Sequence, residues 1–88
     1  MTDLELYTLL SENVYEVHDD RKMDGEVRLF IRSYNYHDFF SKLNIDTEWN
    51  ITAHILSDGD ICVELSELQN LIDDYETFEK LVVKNLVG

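Results

Sequence analysis

The chain has no proline and only three glycines in 88 residues. No proline-rich spacer or flexible glycine linker is available to divide it, so one domain over residues 1–88 is expected. A single cysteine, Cys62, excludes an intrachain disulfide and any paired Cys-x-x-Cys zinc spacing. No apolar run reaches the length of a membrane span. Met1-Thr2-Asp3-Leu4-Glu5 is acidic at once, unlike the basic start of a secretory signal. The expected location is the cytoplasm.

Positive charge is the scarcest component. Seven Lys and Arg stand against nineteen Asp and Glu, a net charge of −12. Between Lys42 and Lys80 there is no base. That interval holds Asp46, Glu48, Asp58, Asp60, Glu64, Glu67, Asp73, Asp74, Glu76 and Glu79. Phosphate contacts need Lys and Arg, so direct nucleic-acid binding is not expected. An anionic membrane surface is disfavoured for the same reason. Ten aromatics and a 44% apolar share separate the chain from a disordered acidic tail. A chain this short buries roughly 60–65% of its unfolded surface, which limits its stability.

The pattern that remains is a small α+β domain in the order α-β-β-α-β-β-α, an antiparallel sheet covered by helices on one face. Thr2-Asp3-Leu4-Glu5 is a capping box, with Met1 and Leu6 placed as its hydrophobic staple. Leu6, Leu9, Leu10 and Val14 form the buried stripe of a helix ending near Asn13. Val14–His18 is expected as a strand and Asp19–Gly25 as a loop. In Glu26–Tyr34, Val27, Leu29 and Ile31 alternate with Arg28, Phe30 and Arg32, a half-buried strand. A short helix from Asn35 or Tyr36 runs through Phe39, Phe40 and Leu43. Strands over Glu48–Leu56 and Asp60–Leu65 follow. Ser66-Glu67-Leu68-Gln69 reads as a second capping box, while Asp73-Asp74-Tyr75-Glu76 offers a later start for the last helix. Leu68, Leu71, Tyr75, Phe78 and Val82 share one helical face in either case.

The segment Leu56-Ser57-Asp58-Gly59-Asp60-Ile61 sets a register problem. A two-residue Asp-Gly turn would mix apolar and polar residues on both faces of the hairpin. A three-residue loop, Ser57–Gly59, places Ile55 opposite Ile61, Ala53 opposite Val63 and Ile51 opposite Leu65. It also leaves Asp58 and Asp60 at the tip with no structural duty beyond the turn itself. This register requires Gly59 in the left-handed conformation. Asp24–Leu29 resembles Asp58–Val63, and Asp38–Leu43 resembles Glu76–Leu81. Duplication and two generic hairpin–helix units would both look this way.

No catalytic constellation emerges, and neither an enzyme nor a cofactor is expected. His18 with Asp19, Asp20 and Asp24 lacks metal-ligand spacing and reads as a solvated acidic loop. Glu64 or Thr52 could orient a Cys62–His54 pair, but nothing supplies the rest of a nucleophilic site. Phe39, Phe40 and Trp49 are expected in the core, Tyr34 and Tyr36 on the surface. Arg28 and Arg32 share a strand face from which they can reach acids on a neighbouring strand.

A one-signed field suits steering toward a basic partner, because natural surfaces ordinarily mix both signs. Carboxylates fixed on a hairpin and a helix can also stand in for a row of phosphates. In size, charge and α/β mix the chain resembles phage or mobile-element inhibitors of host defence, including DNA-mimicking anti-CRISPR and anti-restriction proteins. The resemblance implies an inhibitor in the host cytoplasm that occupies the nucleic-acid-binding groove of a basic protein such as a host nuclease. The candidate contacts, taken from the acidic run itself, are Asp58, Asp60, Glu64, Glu67, Asp73, Asp74, Glu76 and Glu79, with Tyr75 as an aromatic anchor. An immunity protein against a basic toxin would share these electrostatics. An oligomeric assembly subunit is the other alternative, and a homodimer stays open.

Overall fold

The computed structural model describes residues 2–32, 34, 36–45 and 54–86. Helix α1 covers Asp3–Asn13 and carries the expected capping box. The Thr2 hydroxyl oxygen accepts from the Glu5 amide at 3.1 Å and donates to Glu5 Oε1 at 3.0 Å. Met1, the expected staple residue, lies outside the described residues. Leu6, Leu9 and Leu10 are buried, and the Asn13 amide donates back to the Leu9 carbonyl at 2.8 Å. That bond satisfies the one polar side chain buried among the described residues.

Strand β1 runs over Val14–Asp20 and pairs antiparallel with β2, Glu26–Ile31. The strand therefore extends two residues into the expected Asp19–Gly25 loop. It does so because Asp19 and Asp20 take backbone positions opposite Val27 and Glu26. β2 stops at Ile31, short of the expected Tyr34. Its alternation holds: Val27, Leu29 and Ile31 are buried, and Arg28 and Phe30 are half-buried on the other face. Val14 faces Ile31 and Glu16 faces Phe30, so Tyr15 is the extra residue of a β-bulge.

Helix α2 is Tyr36–Lys42, with Phe39 and Phe40 buried. Asn35, the other expected start, lies outside the described residues. The other end is closed by Asn44 in the left-handed conformation, φ 57°. The Asn44 amide reaches Ser41 O and the Ile45 amide reaches Phe40 O, both at 3.0 Å. Asparagine tolerates this conformation, and the paired bonds satisfy carbonyls that the helix end would otherwise leave open. Tyr36, expected on the surface, packs half-buried against the core from the first turn of this helix; Tyr34 is 80% exposed.

Strand β3, Ile61–Glu64, pairs antiparallel with β2, giving the order β1-β2-β3. The strand expected over Glu48–Leu56 falls mostly outside the described residues. With it go Trp49 and the Ile51–Leu65 and Ala53–Val63 pairs. The turn itself is described and has the three-residue loop. Ile55 bridges Ile61 on the side of β3 away from β2. The Leu56 amide donates to Asp60 O at 2.7 Å, and the Gly59 amide to Leu56 O at 2.9 Å. Gly59 has φ 90°, as this register requires. Ile55 stays 44% exposed, so its apolar contact is partial.

After β3, Leu65–Leu68 form a single 3₁₀ turn. The Ser66–Gln69 capping box does not form, because the Ser66 hydroxyl is committed to the Glu26 carboxylate. The last helix starts later, as α3 over Tyr75–Leu81, and Asp74 caps it by accepting from the Thr77 amide. A wider turn, Val82–Leu86, continues it. Phe78 and Val82 are fully buried with Leu68, Leu29, Ile31, Ile61 and Val63. One apolar cluster thus joins the three helices to a single face of the sheet. No described helix is long and apolar enough to cross a membrane.

Candidate protein-binding face

The hairpin β1–β2 uses its bases on its own acids. Arg21 grips Asp19 through two nitrogens, Nε at 2.7 Å and Nη2 at 2.6 Å. The hydrogen bonds from Arg21 hold the Asp19 carboxyl down to about 2. Arg28 donates to Asp20 at 2.8 Å and to Asp24, and lies 3.7 Å from Glu64 across the sheet. Hydrogen bonds from Arg28 and from the Glu26 amide lower the Asp24 carboxyl. Cross-strand register explains the cluster: His18 and Glu64 both sit opposite Arg28. His18 turns instead to Glu16, at 2.9 Å. The acids around His18 therefore point to arginines and not to a common centre. No group of three or more metal-ligating side chains converges among the described residues.

Arg32 caps the Tyr15 ring, its guanidinium carbon 4.6 Å from the centroid. The bulge carries the Tyr15 hydroxyl to Asp60 Oδ2, 2.9 Å away. Partial burial and this bond push the Tyr15 hydroxyl up to about 12, with the Asp60 and Asp58 charges adding and Arg32 opposing. Asp58 accepts from the Asp60 amide at 3.0 Å. Asp58 thus serves the turn itself, and Asp60 has a further structural role, its bond to Tyr15, that the sequence did not reveal. The Asp24-Gly25-Glu26 turn repeats this chemistry, with Asp24 accepting from the Glu26 amide at 3.1 Å and Gly25 at φ 83°.

The remaining expected contacts separate into two sets. Glu64 lies beside Arg28, and Glu67 pairs with His54. Asp58, Asp60, Asp73, Asp74, Glu76 and Glu79 pair with no cation among the described residues. Asp73, Asp74, Glu76 and Glu79 are exposed together across the start of α3. Asp74 sits at the helix N-terminus with Glu76 in the first turn, where carboxylates suit the helix dipole. Tyr75 is half-buried rather than projecting. Partial burial, a hydrogen bond to Glu79 and the charges of Glu79 and Glu26 push its hydroxyl up to about 12.

Tyr75 and Glu79 line a groove of about 290 Å³ together with Arg21, Glu26, Val27, Leu65, Ser66 and Val83. Sequence reasoning missed Glu26 and Ser66. Ser66 Oγ lies 2.9 and 3.0 Å from the two Glu26 oxygens. The two residues are forty positions apart, and the local Ser-x-x-Gln pattern pointed elsewhere. Cys62 is half-buried opposite Phe30. Burial raises its thiol pKa, with Arg28 opposing and Glu64 and Glu67 adding, which disfavours the thiolate.

Compared with protein-family models, curated proteins and solved structures, the chain matches none.

Proposed function

We propose that this chain is a small protein-binding inhibitor whose acidic face occupies a basic, nucleic-acid-binding groove of its partner. A phage or mobile-element anti-defence protein would act in this way. One observation carries the reading: Asp73, Asp74, Glu76 and Glu79 are exposed at the start of α3, and none of them forms an ion pair among the described residues. Meanwhile Arg21 and Arg28 are consumed by the β1–β2 hairpin. Charge left uncompensated on a rigid element acts outward, and it steers association with a surface of opposite sign. Asp74 caps that helix, and the buried Phe78 anchors it to the core. The carboxylates are therefore held in place before the partner arrives, which lowers the ordering cost of binding.

The test is competition with duplex DNA for a basic nucleic-acid-binding partner at rising ionic strength. The chain should displace the DNA at low salt and lose affinity steeply as salt screens the contacts. A variant combining Asp73→Lys, Asp74→Asn and Glu76→Lys should lose inhibition. Asn at 74 keeps the helix cap, so circular dichroism should be unchanged. Full inhibition by this variant would refute the reading.

A further inference from the structure

The groove beside α3 has the chemistry of a receptor for one side chain. Glu79 and Tyr75 lie on one face of α3, Glu26 opens β2, and Val27, Leu65 and Val83 supply apolar walls. We propose that this groove takes an arginine side chain of the basic partner, with its guanidinium on Glu79 and Glu26 and its stem along the apolar walls. The inference rests on the acidic-face reading above and names what the partner inserts.

Three features select this occupant. At about 290 Å³ the space is at the small end for ligand pockets, which suits a side chain better than a cofactor. Its ligands are two carboxylates and an aromatic ring, the set that a planar guanidinium can bridge and stack on. The one resident guanidinium on the lining, Arg21, is hydrogen-bonded to both oxygens of Asp19 and feels the Glu79 charge without forming an ion pair with it. Ser66 holds the Glu26 carboxylate in place, and Tyr75 lines the groove beside Glu79. Each carboxylate keeps acceptor capacity for a guanidinium. An arginine stem is apolar enough to lie against Val27, Leu65 and Val83 while its head reaches the acids.

The experiment titrates the full isotope-labelled chain by NMR with arginine amide, lysine amide and a short oligoarginine peptide. Arginine amide should shift the amide signals of Glu26, Ser66, Tyr75 and Glu79 saturably. Lysine amide should bind roughly tenfold more weakly, about the 1.4 kcal/mol of one lost bidentate contact. Glu79→Gln and Glu26→Gln, each checked for an unchanged melting temperature, should each weaken arginine amide about tenfold. Equal shifts from both amides, or unsaturable shifts spread over Asp58, Asp73 and Glu76, would overturn the groove. Salt-sensitive oligoarginine binding alongside that result would leave the acidic-face reading intact. Failure of all three ligands to bind would overturn both.

Discussion

Two regions of this small domain handle charge in opposite ways. Residues 14–32 hold five acids and four bases; residues 54–79 hold eight acids and no Lys or Arg. In the first region, Arg21 and Arg28 gather Asp19, Asp20 and Asp24 into the sheet. In the second, among the described residues, Glu64 borrows the hairpin's Arg28 and Glu67 pairs with the His54 ring. Both regions rest on the same apolar cluster. Packing therefore binds the two halves together while their surfaces diverge. The difference teaches where the chain spends stability: one region compensates its charge internally, and the other leaves it available to a partner.

The largest expected effect tests the shared core. Phe78→Ala in α3 and Leu29→Ala in β2 both truncate fully buried side chains. Losses of about 3–5 and about 2–5 kcal/mol are expected in urea unfolding. If only one site were costly, the two regions would not share a single core.

Next comes the charge contrast itself. The wild type should gain stability as salt rises, because screening relieves repulsion among the unpaired acids of 54–79. Arg28→Met should lower the melting temperature and steepen its rise with salt, since Asp20, Asp24 and Glu64 lose their common cation. A melting temperature that fell with salt in the wild type would break the comparison.

A smaller effect compares the two Asp-Gly turns. Gly59→Ala and Gly25→Ala should each cost about 1–2 kcal/mol, because both glycines hold positive φ. At Gly25 no atom lies within 4 Å of an added Cβ, so its loss should come from backbone strain alone. Thermal melts of the two variants would show whether the turns are equivalent.

The smallest effect is read at high pH. Tyr15 and Tyr75 have their hydroxyls pushed up to about 12 by partial burial and by hydrogen bonds to Asp60 and Glu79. Their folded values lie above the ordinary 10, so their contribution is fully present below pH 10 and is lost as pH rises through about 12. Tyrosinate absorbance should show the Tyr15 and Tyr75 components titrating late. Tyr15→Phe should remove one late component and uncouple the hairpin from the 56–60 turn.

Local patterns were legible wherever the deciding interaction spans a few residues. The Thr2–Glu5 capping box, the α1 stripe, the β2 alternation and the three-residue loop all follow from spacing alone. The same kind of reading failed at Ser66. A cap pattern there competes with Glu26, whose carboxylate arrives from forty residues away and receives the hydroxyl. Asp74 then took the cap further along, a choice the sequence had left open. Tyr75 likewise fits an exposed anchor by composition and a half-buried groove wall by packing.

The sequence by itself determined the first two helices, the described strands apart from their ends, and a chain with far more acid than base. Those properties depend on periodicity, capping and composition, which act along the chain. Only the tertiary structure decided which acids stay unpaired. The bulge at Tyr15 sends its hydroxyl to Asp60, and sheet register brings Asp20, Asp24 and Glu64 to one arginine. Ion pairs reach only a few ångströms, so their partners are fixed by where folding places the side chains and not by their order in the chain.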